Sequence, residues 1–211
     1  MNRPYVTINC AMSLDGKIAS PSGKQMRISC DEDIKRMYEL RNKSDAVLVG
    51  INTVISDDPK LTVKEKYVKN PNQPIRIVLD TKCRTPTNSL VANKASKTFI
   101  IVGKEYNKKF NENVEIIKCK LKDGFIDLHS LLEKLYEKGI RKLMVEGGST
   151  VIWNFLSENL VDDMYVYIGS MIIGGKNTPT LVNRERPNIN IKFFEAKKLG
   201  SGILLHYKMI K

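Results

Sequence analysis

The stretch Leu143-Met144-Val145-Glu146-Gly147-Gly148-Ser149-Thr150 decides the fold of this chain. A short apolar run ends in a carboxylate. Two glycines and two hydroxyl residues follow, and then Val151, Ile152, Phe155, Leu156 and Leu160 repeat at helical spacing. That order predicts a strand, a tight Gly turn and a helix. Backbone N–H groups and a helix N-terminus meet there at the strand's carboxyl end, a ready place for a phosphate. Two glycines alone serve any turn that needs positive φ, so the neighbouring segments have to carry the rest.

On the N-terminal side, Leu128, Leu131, Leu132 and Leu135 form one face of a helix, with Asp127 as N-cap and Gly139 as terminator. Asp45 to Gly50 is a short, continuously apolar strand of the kind buried in a parallel sheet, and Gly50-Ile51-Asn52-Thr53-Val54 starts a helical turn ending near Asp57-Asp58-Pro59. Ile75 to Leu79, Thr98 to Val102 and Val114 to Cys119 are further strands, and Pro4 to Ala11 is the first. A helix from about Cys30 to Asn42 opens with a capping box, Ser29 as N-cap and Glu32 at N3. Ile34, Met37, Tyr38 and Arg41 share one face of it, so Arg41 either snorkels to water or meets an anion. Downstream, Asp163 to Ile173 is strand-like, and Ile189 to Leu199 and Ile203 to Met209 form a hairpin across Gly200-Ser201-Gly202. The pattern predicts one α/β domain over 1–211. It is a three-layer αβα fold with a mainly parallel mixed sheet, helices on both faces and an antiparallel C-terminal hairpin.

Composition narrows the function classes. Apolar content of 42% and charged content of 27% describe a globular chain. Cys10, Cys30, Cys83 and Cys119 lie far apart with no C-x-x-C pair, which fits reduced thiols and excludes a zinc or disulfide framework. No apolar run has membrane-spanning length and no signal segment is present, so a cytoplasmic protein is expected, with no membrane partner. The net charge of +12 favours anionic ligands. Its lysines are scattered, as a solvated surface rather than a nucleic-acid patch. His129 and His206 stand apart from any glycine elbow, so a Ser–His–Asp hydrolase is not expected, and hydride transfer suits a chain this poor in acid–base groups. Ligands of open α/β sheets bind outside the strands' carboxyl ends. Here those ends are Gly50 to Asp57, Asp80 to Arg84, Gly103, and Glu146 to Thr150. Neither G-x-G-x-x-G nor a Walker A motif is present.

Asn9-Cys10-Ala11-Met12-Ser13-Leu14-Asp15-Gly16-Lys17-Ile18-Ala19 resembles the opening of the riboflavin-biosynthesis reductases, whose fold is like dihydrofolate reductase. Gly50 to Val54 with Asp57 to Thr62, Arg76 to Asp80, and Val145 to Thr150 are similar to their later motifs, in the same order. The resemblance implies NADPH-dependent reduction of the ribosyl side chain of a pyrimidine 5′-phosphate. The substrate would be 2,5-diamino-6-ribosylamino-4(3H)-pyrimidinone 5′-phosphate. The deaminated pyrimidine, or a dihydrofolate-type substrate, is the alternative.

By the same resemblance, Thr53 and Asp57 would hold the cofactor. Leu79, Asp80, Thr81 and Lys82 would line its adenosine side, and Gly147, Gly148, Ser149, Thr150 and Val151 its pyrophosphate. Lys82 or Arg84 would meet a 2′-phosphate. Asp80 would equally accept from a free ribose hydroxyl, which leaves NADH open. Arg41 and Lys64 would bind the 5′-phosphate, and Glu146 the base or ribose. Lys17 and Glu146 would be catalytic, with Lys17 protonating an oxygen as the ring opens. No metal is implied. The chain resembles the stand-alone archaeal or fungal type of reductase, and a homodimer through the late strands is expected.

Overall fold

Ala46–Gly50 and Thr98–Val102 are buried along their whole lengths, as strands covered on both faces must be. The computed structural model describes residues 2–182 and 188–210. In chain order the elements begin with β1 (Tyr5–Ser13), α1 (Asp31–Lys43), β2 (Ala46–Gly50), α2 (Ile51–Asp57), β3 (Ile75–Leu79), β4 (Thr98–Val102) and β5 (Val114–Lys118). They continue with β6 (Leu121–Lys122), β7 (Phe125–Ile126), α3 (Leu128–Glu137), β8 (Lys142–Gly147), α4 (Ser149–Ser157), β9 (Asp163–Gly169), β10 (Ile191–Leu199) and β11 (Gly202–Met209). The main sheet runs β10-β11-β9-β1-β8-β2-β3-β4-β5. From β9 to β5 neighbouring strands are parallel, and β11 and β10 continue antiparallel. This is the expected mixed sheet with its C-terminal hairpin.

Side chains alternate across a strand, and the two apolar cores follow from that. Ile8, Leu48, Ile77, Ile101 and Val145 pack against α3 and α4. Val47, Val49, Val78 and Met144 point to the other face, against Met37 and Leu40 of α1 and Val54 of α2. β8 lies between β1 and β2, so the opening stretch ends at the centre of the sheet.

Several boundaries differ from expectation. The N-cap of α1 is Cys30, whose sulfur accepts from the Asp33 N–H. Ser29 does not cap it. Its hydroxyl donates to the Asp33 carboxylate at 2.6 Å, because Asp33 also anchors Arg36 and is 2% exposed. β9 stops at Gly169 rather than Ile173, where a Cβ would lie 2.7 Å from the Ile28 carbonyl. The β6–β7 hairpin was not expected. Asp123 and Gly124 take the positive φ values of its two-residue turn, and pairs this short leave little periodicity to read.

Candidate functional site

A groove of about 550 Å³ opens at the carboxyl ends of β2, β3 and β8. One wall is the start of α4, from Gly148 to Val151. Gly148 is the N-cap and supplies no side-chain cap, so the first N–H groups of the helix face the groove unsatisfied by side chains. The wall is tight as well. A Cβ on Gly50 would lie 2.9 Å from Val151 Cγ2, and one on Gly148 would lie 3.4 Å from Thr53 Oγ1. The second wall carries Leu79, Thr81, Lys82 and Arg84, with Arg84 donating to Asn52 Oδ1 at 2.9 Å. The third is the β7 edge, Gly124, Phe125 and Ile126. Uncapped N–H groups, two cations and a glycine-lined cradle fit an anionic dinucleotide. The lining contains no carboxylate.

Beside the groove, Glu146 sits at an irregularity of β8. Val145 pairs with Leu48, but Gly147 pairs with Val49, so Glu146 is an extra residue opposite β2. Strand alternation puts Glu146 on the same face as Met144, two residues earlier. Glu146 turns to the α1 face and takes a bidentate pair from Arg41, Nε to Oε1 at 2.6 Å and Nη2 to Oε2 at 2.7 Å. Both side chains are nearly buried, at 10% and 12% exposure. Arg41 Nη1 donates to the Thr62 carbonyl. Burial works against the guanidinium charge, but the Glu146 carboxylate outweighs it and Arg41 is held above its ordinary pKa. Arg41 thus neither snorkels nor waits unpaired for a ligand. It lies 5.4 Å from the Tyr38 ring, and Lys64, exposed, lies 5.7 Å from the same ring. Arg41, Glu146 and Lys64 are therefore one cluster.

Lys17 follows β1, the strand beside β8. Its backbone bridges to Thr180 and its N–H donates to Ser13 Oγ. The loop is held by Asp15, which accepts from Ser13 Oγ and from the N–H groups of Ile173 and Gly174. These bonds, the one from Ser13 foremost, pull the exposed Asp15 carboxyl down to about 2.

Of the residues expected at the cofactor, Thr53, Leu79, Thr81, Lys82, Gly148, Ser149, Thr150 and Val151 line the groove. Asp57, Asp80 and Gly147 do not. Asp57 accepts from Ser56 Oγ at the end of α2. Asp80 is fully buried, and its Oδ2 accepts from both the N–H and the hydroxyl of Thr85, while Oδ1 has no hydrogen-bond partner among the described residues. Gly147 is buried behind Gly148. Sequence reasoning missed the β7 wall, and it also missed Asn9. Ile8 and Val145 are the last pair between β1 and β8, and Asn9 and Glu146 are the next residues of the two strands. Its carbonyl is taken by Arg36 at 2.6 Å, and its amide nitrogen meets no acceptor among the described residues. Strand alternation hid it as one of several polar residues in β1.

Residues 4–205 match the model of the RibD C-terminal domain family. The chain is 40% identical over 210 residues to the 2,5-diamino-6-ribosylamino-4(3H)-pyrimidinone 5′-phosphate reductase of Archaeoglobus fulgidus, covering 95% of each chain. Among solved structures it is similar to the yeast riboflavin biosynthesis reductase Rib7, with a TM-score of 0.82, 26% identity, and coverage of 100% of this chain and 91% of that one. It is also similar to the deaminase/reductase of Thermotoga maritima, with a TM-score of 0.83 and 28% identity, covering 99% of this chain but 57% of that longer one.

Proposed function

The chain belongs to the RibD C-terminal domain family, and from that premise we propose that it is the 2,5-diamino-6-ribosylamino-4(3H)-pyrimidinone 5′-phosphate reductase of riboflavin biosynthesis, using NADPH. The observation that carries this is the junction at Glu146 to Val151. A dinucleotide cradle and a buried, oriented carboxylate occupy consecutive positions of one strand end. The two reactants meet there.

The bound nicotinamide supplies a hydride to the sugar C1′. The chain's own residues do the rest. The α4 N-terminus holds the pyrophosphate. Lys82 and Arg84 take the 2′-phosphate, and a lining with these two cations and no carboxylate favours NADPH over NADH. Arg41 fixes Glu146 so that its remaining lone pairs accept from the pyrimidine N–H groups. Three of the guanidinium's five donors are committed; the other two, with Lys64, face the 5′-phosphate. Lys17, whose ammonium has no partner among the described residues, protonates the ring oxygen as the ribosyl ring opens. The Arg41–Glu146 pair and the Asp15-braced loop set these groups before substrate arrives, which preserves rate by avoiding reorganisation.

The test is NADPH oxidation with the diaminopyrimidine ribosyl phosphate, its deaminated analogue and dihydrofolate side by side. Turnover of the first is expected to dominate, and turnover of dihydrofolate alone overturns the proposal. Near-normal turnover in Lys17→Ala would remove Lys17 from its role.

A homodimer is part of the same proposal. β10 is exposed along nearly all its length, with Phe193 and Phe194 at 57% and 55% exposure. Beside it Leu14, Ile172 and Ile203 line an open apolar groove. An uncovered edge strand with large apolar side chains is a surface that a second copy covers. Light scattering at micromolar concentration should give twice the 24.0 kDa chain mass. A stable monomer argues against it. The expected compartment is the cytoplasm: the four cysteines are free and no described helix is long and apolar enough to cross a membrane.

A further inference from the structure

The β6–β7 hairpin has no part in the chemistry above, yet it forms one wall of the groove. Its construction has a purpose that its length hides. Leu121 and Ile126 form one cross-strand pair, Lys122 and Phe125 the other. Ile126 is 5% exposed and enters the main core. Leu121 lies over Gly103, where a Cβ would fall 2.8 Å from its methyl carbons. These two contacts pin the hairpin to the ends of β4 and α3. Side chains alternate along a strand, so with Ile126 fixed inward Phe125 lies on the outer face of β7, where it lines the groove and remains 39% exposed.

We propose that Phe125 is the stacking platform for the adenine base of the dinucleotide, and that the hairpin exists to present it. The proposal rests on the cofactor assignment made above. Each of the other walls is committed by its chemistry. The α4 N-terminus offers N–H groups suited to a pyrophosphate, and Lys82 and Arg84 offer charge suited to a phosphate monoester. Neither offers a flat apolar face. Phe125 is the one aromatic ring among the lining residues. An adenine attached to a ribose whose phosphates lie on the first two walls is left the third. A base stacks on such a ring without needing base-specific hydrogen bonds.

The discriminating probe is adenosine 2′,5′-bisphosphate, which carries the base and the 2′-phosphate but no nicotinamide. Its binding is followed by calorimetry, with no turnover involved, beside that of NADPH and reduced nicotinamide mononucleotide. Phe125→Leu keeps apolar bulk and removes the π face, while Phe125→Tyr keeps the ring. Phe125→Leu should weaken both NADPH and the bisphosphate about tenfold, within the range that base–aromatic stacking contributes. Phe125→Tyr should bind both as the wild type does, and the mononucleotide should bind all three proteins alike. Unchanged affinity of Phe125→Leu for the bisphosphate overturns the platform and leaves the cofactor assignment standing. Equal losses in Phe125→Leu and Phe125→Tyr overturn it too, since the ring would then not be what matters. If the wild type binds neither NADPH nor the bisphosphate, the cofactor assignment falls and the platform with it.

Discussion

Among the described residues two arginines are buried, Arg41 at 8% exposure and Arg76 at 0%, and they are held in opposite ways. Arg76, near the start of β3, meets no carboxylate among its hydrogen-bond partners. It donates to the Leu90 carbonyl, the Asn93 side chain and carbonyl, and the Ser96 carbonyl. Burial without a counter-charge lowers its pKa to about 10. Arg41 meets Glu146 bidentately. The first guanidinium ties together the 90–96 loop, whose Asn93 and Ser96 carbonyls it shares with the Asn113 amide. The second orients a carboxylate at the carboxyl end of a central strand, where ligands of such sheets bind. A buried charge caged by backbone is architecture; a buried charge paired across two elements beside a groove is the mark of a site.

Substitutions can break this contrast. The largest expected effect is on rate. Glu146→Gln keeps the shape and removes the charge, and kcat/KM in the NADPH oxidation assay should fall about a hundredfold, the scale of lost hydrogen bonds to a charged group. A fall of less than about tenfold would put Glu146 in the same class as the partners of Arg76.

Next comes stability. Removing one member of the Arg41–Glu146 pair leaves a buried unpaired charge, which costs about 3 kcal/mol or more. Arg41→Met and Glu146→Gln should each show that loss in urea unfolding, and the double variant should lose less than the sum. Additive losses would mean that the two groups are not coupled.

Arg76→Met should cost about 2 kcal/mol, because four hydrogen bonds to the 90–96 loop are lost at once. Its kcat/KM per folded molecule should stay within about twofold of wild type, as expected for a structural site. A collapse of kcat/KM at full folding would erase the distinction between the two arginines.

The smallest effect concerns Asp15, a carboxylate held by backbone N–H groups much as Arg76 is held by carbonyls. Its pKa of about 2 lies below that of an unfolded carboxyl. The bonds it makes are therefore complete above the ordinary carboxylate range and are lost only as pH falls through about 2. The Ile173 and Gly174 amide signals should hold their NMR positions at pH 3 and move only near pH 2. Movement centred near pH 4 would show that Asp15 is not so held.

Most of the fold was legible in the sequence. Fully apolar runs such as Ala-Val-Leu-Val before Gly50 can only be covered strands, and the Leu-rich stripe of α3 with Asp127 at its cap can only be a surface helix. The groove wall at the start of α4 was legible for the same reason, since a glycine N-cap and the helix it starts are neighbours in the chain. Asp80 was expected at the ligand from its place at a strand end; it does not line the groove, and Thr85, five residues on, bonds one of its oxygens twice.

What the sequence by itself determined was local: where strands end, where helices begin, and which faces are apolar, because those follow from periods of two and 3.6 residues. The tertiary structure alone decided which charges meet. Arg41 and Glu146 are 105 residues apart. They pair because β8 is inserted between β1 and β2 with Met144 and Glu146 on the face that α1 covers. Asn9 and Glu146 come to follow the last β1–β8 pair by the same insertion, and Phe125 reaches the groove because Gly103 leaves room for Leu121. Burying a charge is tolerable only with a partner at hydrogen-bond distance, and that partner is chosen by strand order, which no local pattern encodes.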